Sequence, residues 1–173
     1  MIVALNPAAL KAELPELKKA GYIIADTATF TERNLHKAHF DSNPLEDGSL
    51  DAYRVIELDI SKMTLEAVKD FGLNKKGALR CKNMWALGFV YWMYNRNRQP
   101  TIDWLNEKFA NKPDVAGANI AALNAGHALG ETAEIPHDIH GFSIGKADIQ
   151  PGEYRTVTGA EALTWGLVTG AKL

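Results

Sequence analysis

The sequence predicts an α/β fold: an incomplete parallel sheet with flanking helices and a helix-rich C-terminal half. Three observations carry that expectation. Residues 2–5, "IVAL", and 22–25, "YIIA", are continuous apolar runs, the pattern of strands buried on both faces. An amphipathic stretch separates them, so strand, helix and strand fit within about 27 residues, the length of a βαβ unit with its right-handed crossover. From residue 78 to 134, three helical stretches follow one another.

The elements follow in order. Asn6 and Pro7 end the first run; Asn6 suits a helix N-cap and Pro7 the first helical position. "AALKAELPELKKA" is an amphipathic helix that Pro15 interrupts or kinks, with Lys18 and Lys19 in its last turn and Gly21 as its stop. "TERNLHKAHF" is a short helix with Thr31 near its start, and "DSNPLEDGSLD" is a loop rich in turn formers. "YRVIELDI" is a third strand, alternating more than the first two and so nearer an edge. "TLEAVKDFGL" is a helix with Gly72 near its end.

Residues 78–95, "ALRCKNMWALGFVYWMYN", form the densest helical segment, apolar nearly all round in its second half. Such a helix is central to a domain or covered by a partner. "PTIDWLNEKFANKP" sets Ile102, Leu105 and Phe109 on one face, and "DVAGANIAALNAGHALGETAE" has the small residues of a closely packed helix. After Glu134 the helical period is lost, and "IPHDIHGFSIGKADIQPGE" reads as a linker or extended crossing segment. "YRTVTGAEALTWGLVTGAKL" closes the chain as a short strand, a Thr-Gly turn and an apolar helix.

Composition narrows the function. At 173 residues and 46% hydrophobic, the chain has the material for one ordinary core. Nineteen basic and 21 acidic residues leave a net charge of −2, which argues against nucleic acid or an anionic membrane as the main partner. The longest apolar run, "MWALGFVYWMY", is 11 residues, short of a membrane span. Cys81 is the only cysteine, so no intrachain disulfide forms, in keeping with a cytoplasmic setting.

Candidate site residues come first from position. Asn6, and Asp26 with Thr27, lie at the carboxyl ends of strands, where ligands gather in open α/β sheets; capping and loop structure account for the same residues. In "RCKNM", Asn83 falls where the helix turns apolar, as a buried polar residue with a backbone partner, a subunit contact or a ligand contact. Trp85, Trp92 and Tyr94 suit interface anchors, or the core that an aromatic stripe more often makes. His36 with His39, and His137 with His140, are spaced three apart; without Cys neighbours or an acidic ligand pattern they read as surface or loop histidines. Cys81 reads as a small core side chain. Neither a GxGxxG nor a Walker A pattern occurs.

"VALNPAALKAELPELKKAGYIIADT", "ERNLHKAHFDSNPLEDGSLDAYRV", "KNMWALGFVYWMYNRNRQPTIDWLNEKFANKP" and "ANIAALNAGHALGETAE" together resemble the alpha subunit of the 2-oxoacid:ferredoxin oxidoreductases, nearest their 2-oxoglutarate branch. The resemblance implies a Rossmann-like gamma-type domain over residues 1–134, a linker over 135–153, and the start of a thiamine diphosphate-binding pyrimidine domain over 154–173. It implies oxidative decarboxylation of a 2-oxoacid to an acyl-CoA, with electrons passed to ferredoxin. Thiamine diphosphate, magnesium, coenzyme A and iron–sulfur clusters would serve the complex, none held by this chain alone. A beta subunit and the remainder of the alpha subunit would be its partners. The family's Gly-rich loop after its first strand and its Pro-Ile-Thr-Pro type motif have no counterpart here, so no catalytic residue carries over.

The expectation is therefore a piece of a longer protein, with its opening strand and final helix both bare, marginally stable and prone to associate when made alone. The competing reading is a non-catalytic α/β binding or interaction module, which the missing glycine loop favours.

Overall fold

The computed structural model describes residues 1–132, 139, 141–145 and 148–171. Three parallel strands, β1 (Ile2–Ala4), β2 (Tyr22–Asp26) and β3 (Arg54–Leu58), lie in the order β1-β2-β3. Ile2 pairs with Ile23 and Ala4 with Ala25; on the other side Ile23 pairs with Val55 and Asp26 with Leu58. Paired on both sides, β2 buries four of its five residues. β3 exposes Arg54 and Glu57 and buries none of its residues fully, in keeping with the edge position that its sequence predicts.

Alternation along the strands divides the core into two layers. Ile2, Ala4, Ile23 and Ala25 join Leu10, Phe30 and Leu35 on one face. These bring in α1 (Pro7–Glu13) and α2 (Glu32–Lys37). Ile24 points the other way, into a larger cluster with Ile60, Val68, Trp85, Phe89 and Ala122. That layer is built from α3 (Ile60–Ala67), α5 (Lys82–Met93) and α7 (Pro113–Thr132). The opening strand is thus not bare: Ile2 and Ala4 are buried, and Val3 packs on the opposite layer. The expectation of two uncovered ends fails at this one, because helices of the same chain cover both faces of the strand.

Several boundaries differ from the sequence reading, each for a local reason. α1 ends at Glu13 and tightens into a 3-10 turn at Leu14–Glu16, because Pro15 lacks the N–H that would continue the helix. Lys18 and Lys19 therefore lie beyond any helix, and the left-handed residue is Ala20 (φ 60°) rather than Gly21. Residues 78–95 are not one helix. α4 (Lys75–Leu79), capped by Asn74, stops short, and α5 restarts after Cys81. α3 begins at Ile60, earlier than expected, because Asp59 accepts from the Lys62 amide at 2.8 Å and caps it. Gly72, at φ 64°, closes the following 3-10 turn as a left-handed C-cap. α6 (Gln99–Lys108) buries Leu105, the middle member of its expected face.

Residues Met1–Ser143 form one compact unit and Ile144–Leu173 a second. The first runs past residue 134: Ile139 is buried, Phe142 rests edge-on against Tyr22, and its amide donates to the Met93 carbonyl. His137 and His140 lie outside the described residues, as does much of the segment between 133 and 147.

In the second unit the expected strand at 154–157 does not form. A strand needs a paired neighbour for its backbone groups, and none runs alongside it among the described residues. Thr158 instead caps α8 (Gly159–Gly170): its hydroxyl accepts from the Glu161 amide while the Glu161 carboxylate accepts from the Thr158 amide at 2.7 Å. These bonds hold the Glu161 carboxyl below the usual carboxylate range. No residue of α8 is buried, and Leu163 and Leu167 are each 66% exposed. An apolar helix left in water associates. Leu163→Lys with Leu167→Lys is expected to weaken self-association of the isolated chain about tenfold or more, read by sedimentation velocity.

Candidate functional site

Three side chains mark the carboxyl ends of the strands, and they have different fates. Asn6, after β1, spends its side-chain oxygen on the Ala9 amide at 2.8 Å and is exposed. Asp59, after β3, caps α3. Asp26, at the end of β2, is wholly buried. One carboxylate oxygen accepts from the Ser61 amide at 3.1 Å, and the other from the Ser61 hydroxyl at 2.7 Å and the Lys82 ammonium at 2.8 Å. The Lys82 side chain is itself only 17% exposed. Thr27 opens a 3-10 turn that Thr29 locks back onto the Asp26 carbonyl at 2.8 Å.

The charged pair joins residues 56 apart in sequence. It fixes the first turns of α3 and α5 to the end of the central strand. Both carboxylate oxygens of Asp26 accept from donors, three bonds in all, so the carboxylate works as an anchor.

Beside this junction, α3, α5 and α7 enclose a groove of about 660 Å³. Met63, Trp85, Ala125 and Leu129 give it an apolar floor, while Asp59, Lys62 and Glu66 form a charged edge along α3. The small residues of α7 deepen it: alanine at 125 and 128 leaves space that larger side chains would fill. Its place off the carboxyl end of β3 is where open α/β sheets bind ligands. It offers apolar contact with polar selection at one edge; its described lining carries neither a thiol nor a histidine.

The other sequence candidates lie elsewhere. Asn83 is exposed on the first turn of α5, not buried, because the apolar face of that helix begins two residues later at Trp85. Trp85 and Trp92 are buried in the core, 1% and 8% exposed, stacked around Phe89. Tyr94 packs on Phe142 at 5.4 Å. Cys81 is buried, and burial pushes its thiol up from the ordinary value. His39 sits at φ 58°, past the end of α2, and no group of three or more potential metal ligands occurs among the described residues. No described helix is long and apolar enough to cross a membrane. Position singled out Asp26 as a ligand contact, where the structure shows a buried partner for Ser61 and Lys82; the sequence reading did not single out Lys82 or Asp59, although the strand-end rule applied to Asp59 as well.

Comparison with known proteins gives three matches. The family model for pyruvate ferredoxin/flavodoxin oxidoreductase matches residues 1–129. The 2-oxoglutarate oxidoreductase subunit KorA of Mycobacterium tuberculosis is 43% identical over 173 residues, all of this chain and 26% of that protein. The chain thus spans about a quarter of the length of that relative. Among solved structures, the 2-oxoglutarate:ferredoxin oxidoreductase from Magnetococcus marinus with 2-oxoglutarate, coenzyme A and succinyl-CoA bound is similar in fold, with a TM-score of 0.55 and 21% identity. That match covers 82% of this chain and 21% of the other.

Proposed function

The chain belongs to the pyruvate ferredoxin/flavodoxin oxidoreductase family, and from that premise we propose that it is part of the alpha-type subunit of an enzyme acting on 2-oxoglutarate. The observation that carries the reading is the 43% identity to KorA along the whole chain. The reaction would convert 2-oxoglutarate, coenzyme A and oxidised ferredoxin to succinyl-CoA, carbon dioxide and reduced ferredoxin.

In such an enzyme thiamine diphosphate supplies the electron sink for loss of carbon dioxide, coenzyme A takes the acyl group, and iron–sulfur clusters take the electrons. The residues present do not fit a cluster: one cysteine cannot provide a multi-thiolate set. Clusters, and the magnesium that accompanies thiamine diphosphate, are assigned to a beta-type subunit and to other parts of the alpha-type polypeptide.

This chain then contributes scaffold and subunit contact. On this reading residues 1–134 correspond to its gamma-type domain, onto which Ile139 and Phe142 also pack, 135–153 to the segment leading out of it, and 154–173 to the first piece of the pyrimidine-binding domain. Asp26 and Lys82 hold α3 and α5 so that the groove keeps its shape. The apolar side chains of α8, none of which is buried, suit burial against the rest of the pyrimidine-binding domain. A cytoplasmic location accords with the single cysteine.

The test is turnover by the complete complex carrying this sequence. Reduction of ferredoxin is expected to require both 2-oxoglutarate and coenzyme A. It should favour 2-oxoglutarate over pyruvate by more than ~100-fold, since a pocket built around the second carboxylate leaves buried polar groups unpaired without it. Comparable use of pyruvate would sink the substrate assignment. Absence of any 2-oxoacid turnover, with the chain purifying apart from a beta-type subunit, would instead favour the non-catalytic module.

A further inference from the structure

We propose that a second recess, between α4, the start of α5 and the α6–α7 junction, binds an anionic small molecule with a short apolar body, its charge held by Arg80 and Lys112. The recess has a volume of about 310 Å³, at the low end for small-molecule sites. It is more enclosed than the α3–α5–α7 groove, which suits a small ligand better than a protein surface.

The chemistry of its wall sets the class of ligand. Leu73, Phe109, Val115 and the Cys81 thiol make it apolar. Burial keeps that thiol protonated, so it adds no negative charge. Among the described residues, Arg80 and Lys112 are the only charged side chains on the wall. Neither side chain makes a hydrogen bond or ion pair among the described residues. In the larger groove Asp59 and Glu66 stand beside Lys62; here no carboxylate is among the described lining residues. A guanidinium and an ammonium facing one apolar recess match a carboxylate or phosphate, the guanidinium in a bidentate fork.

Cys81 supplies the test, because it is the only cysteine of the chain and is 1% exposed. Iodoacetamide reaches it only when the wall opens, and a ligand that binds the closed recess slows that opening by mass action. Alkylation read by peptide mass serves for the chain alone and for the assembled complex. Octyl phosphate near ten times its dissociation constant is expected to slow labelling about tenfold, whereas octanol at the same concentration slows it less than about twofold.

Arg80→Ala and Lys112→Ala each reduce the protection and together abolish it. Both positions are exposed, so the fold survives the change; Lys19→Ala, a distant surface cation, leaves protection intact. Octanoate in parallel decides whether the anion is a carboxylate or a phosphate. Equal protection by octanol, protection that survives the double variant, or no protection by either anion at millimolar concentration overturns the proposal.

Discussion

Gly88→Ala or Gly126→Ala alone lowers the melting temperature of the first unit by roughly 10 °C. The two glycines sit at the crossing of α5 and α7, each against the other helix. A Cβ at Gly88 would lie 1.9 Å from the Leu123 carbonyl oxygen and 2.8 Å from its carbon. At Gly126 it would lie 1.9 Å from the Trp85 carbonyl oxygen and 2.9 Å from its carbon. These obstacles are backbone, so no rotamer change relieves them; the helices must separate. Separation opens contacts around Trp85 and Phe89, both fully buried. Overpacking of this kind costs about 3 kcal/mol, a large share of the ~5–15 kcal/mol that stabilises a domain.

The two substitutions relieve or create the same strain, so the double variant is expected to cost less than the sum of the singles. Gly72→Ala gives the contrast. Nothing lies within 4 Å of its added Cβ, but its φ of 64° is left-handed, so the cost is about 1 kcal/mol and arises within the residue. Near-ultraviolet circular dichroism of the buried tryptophans follows each melt. A melt unchanged by Gly88→Ala would mean that the helices cross farther apart than described.

The parallel sheet was legible because its signals are local. "IVAL" and "YIIA" can be buried on both faces only in a sheet with helices above and below, and Asn6, Thr31 and Pro15 mark helix ends by chemistry that acts within four residues. The break at Arg80 and Cys81 was not legible: the helical period runs through it, and Asn74, whose side chain caps α4 from Gly77, lies before the segment where that period was read. Nor was it legible that this chain itself covers the opening strand, because the cover comes from side chains such as Leu35 and Leu50, far along the chain. The strand predicted at 154–157 failed for the converse reason. A β-prone run becomes a strand only if a neighbour supplies the ladder, and "YRTV" has none among the described residues.

The same limit applies to the site: position marked Asp26, but only the fold shows that Lys82, 56 residues on, answers it. Breaking that pair is the second substitution with a large expected effect. Asp26→Ala leaves an ammonium whose side chain is 17% exposed without its counterion, and takes the acceptor from the Ser61 amide and hydroxyl. Loss of one member of a buried ion pair costs about 3–5 kcal/mol. Lys82→Met leaves the wholly buried carboxylate with the two Ser61 donors alone, and it falls in the same range.

Joining Asp26→Ala to Lys82→Met removes both charges, so the double variant is expected to recover about 2 kcal/mol relative to the sum of the singles. Urea denaturation of the four proteins measures that coupling. Additive losses would mean that the two groups stabilise the fold separately and that α3 and α5 are held by packing alone. A coupling of the expected size makes one salt bridge the tie between the central strand and the groove. If the proposed function holds, turnover by the complex tests the same tie: activity should follow the coupling, failing in both singles and returning in part in the double, because the groove keeps its shape only while the first turns of α3 and α5 are held together.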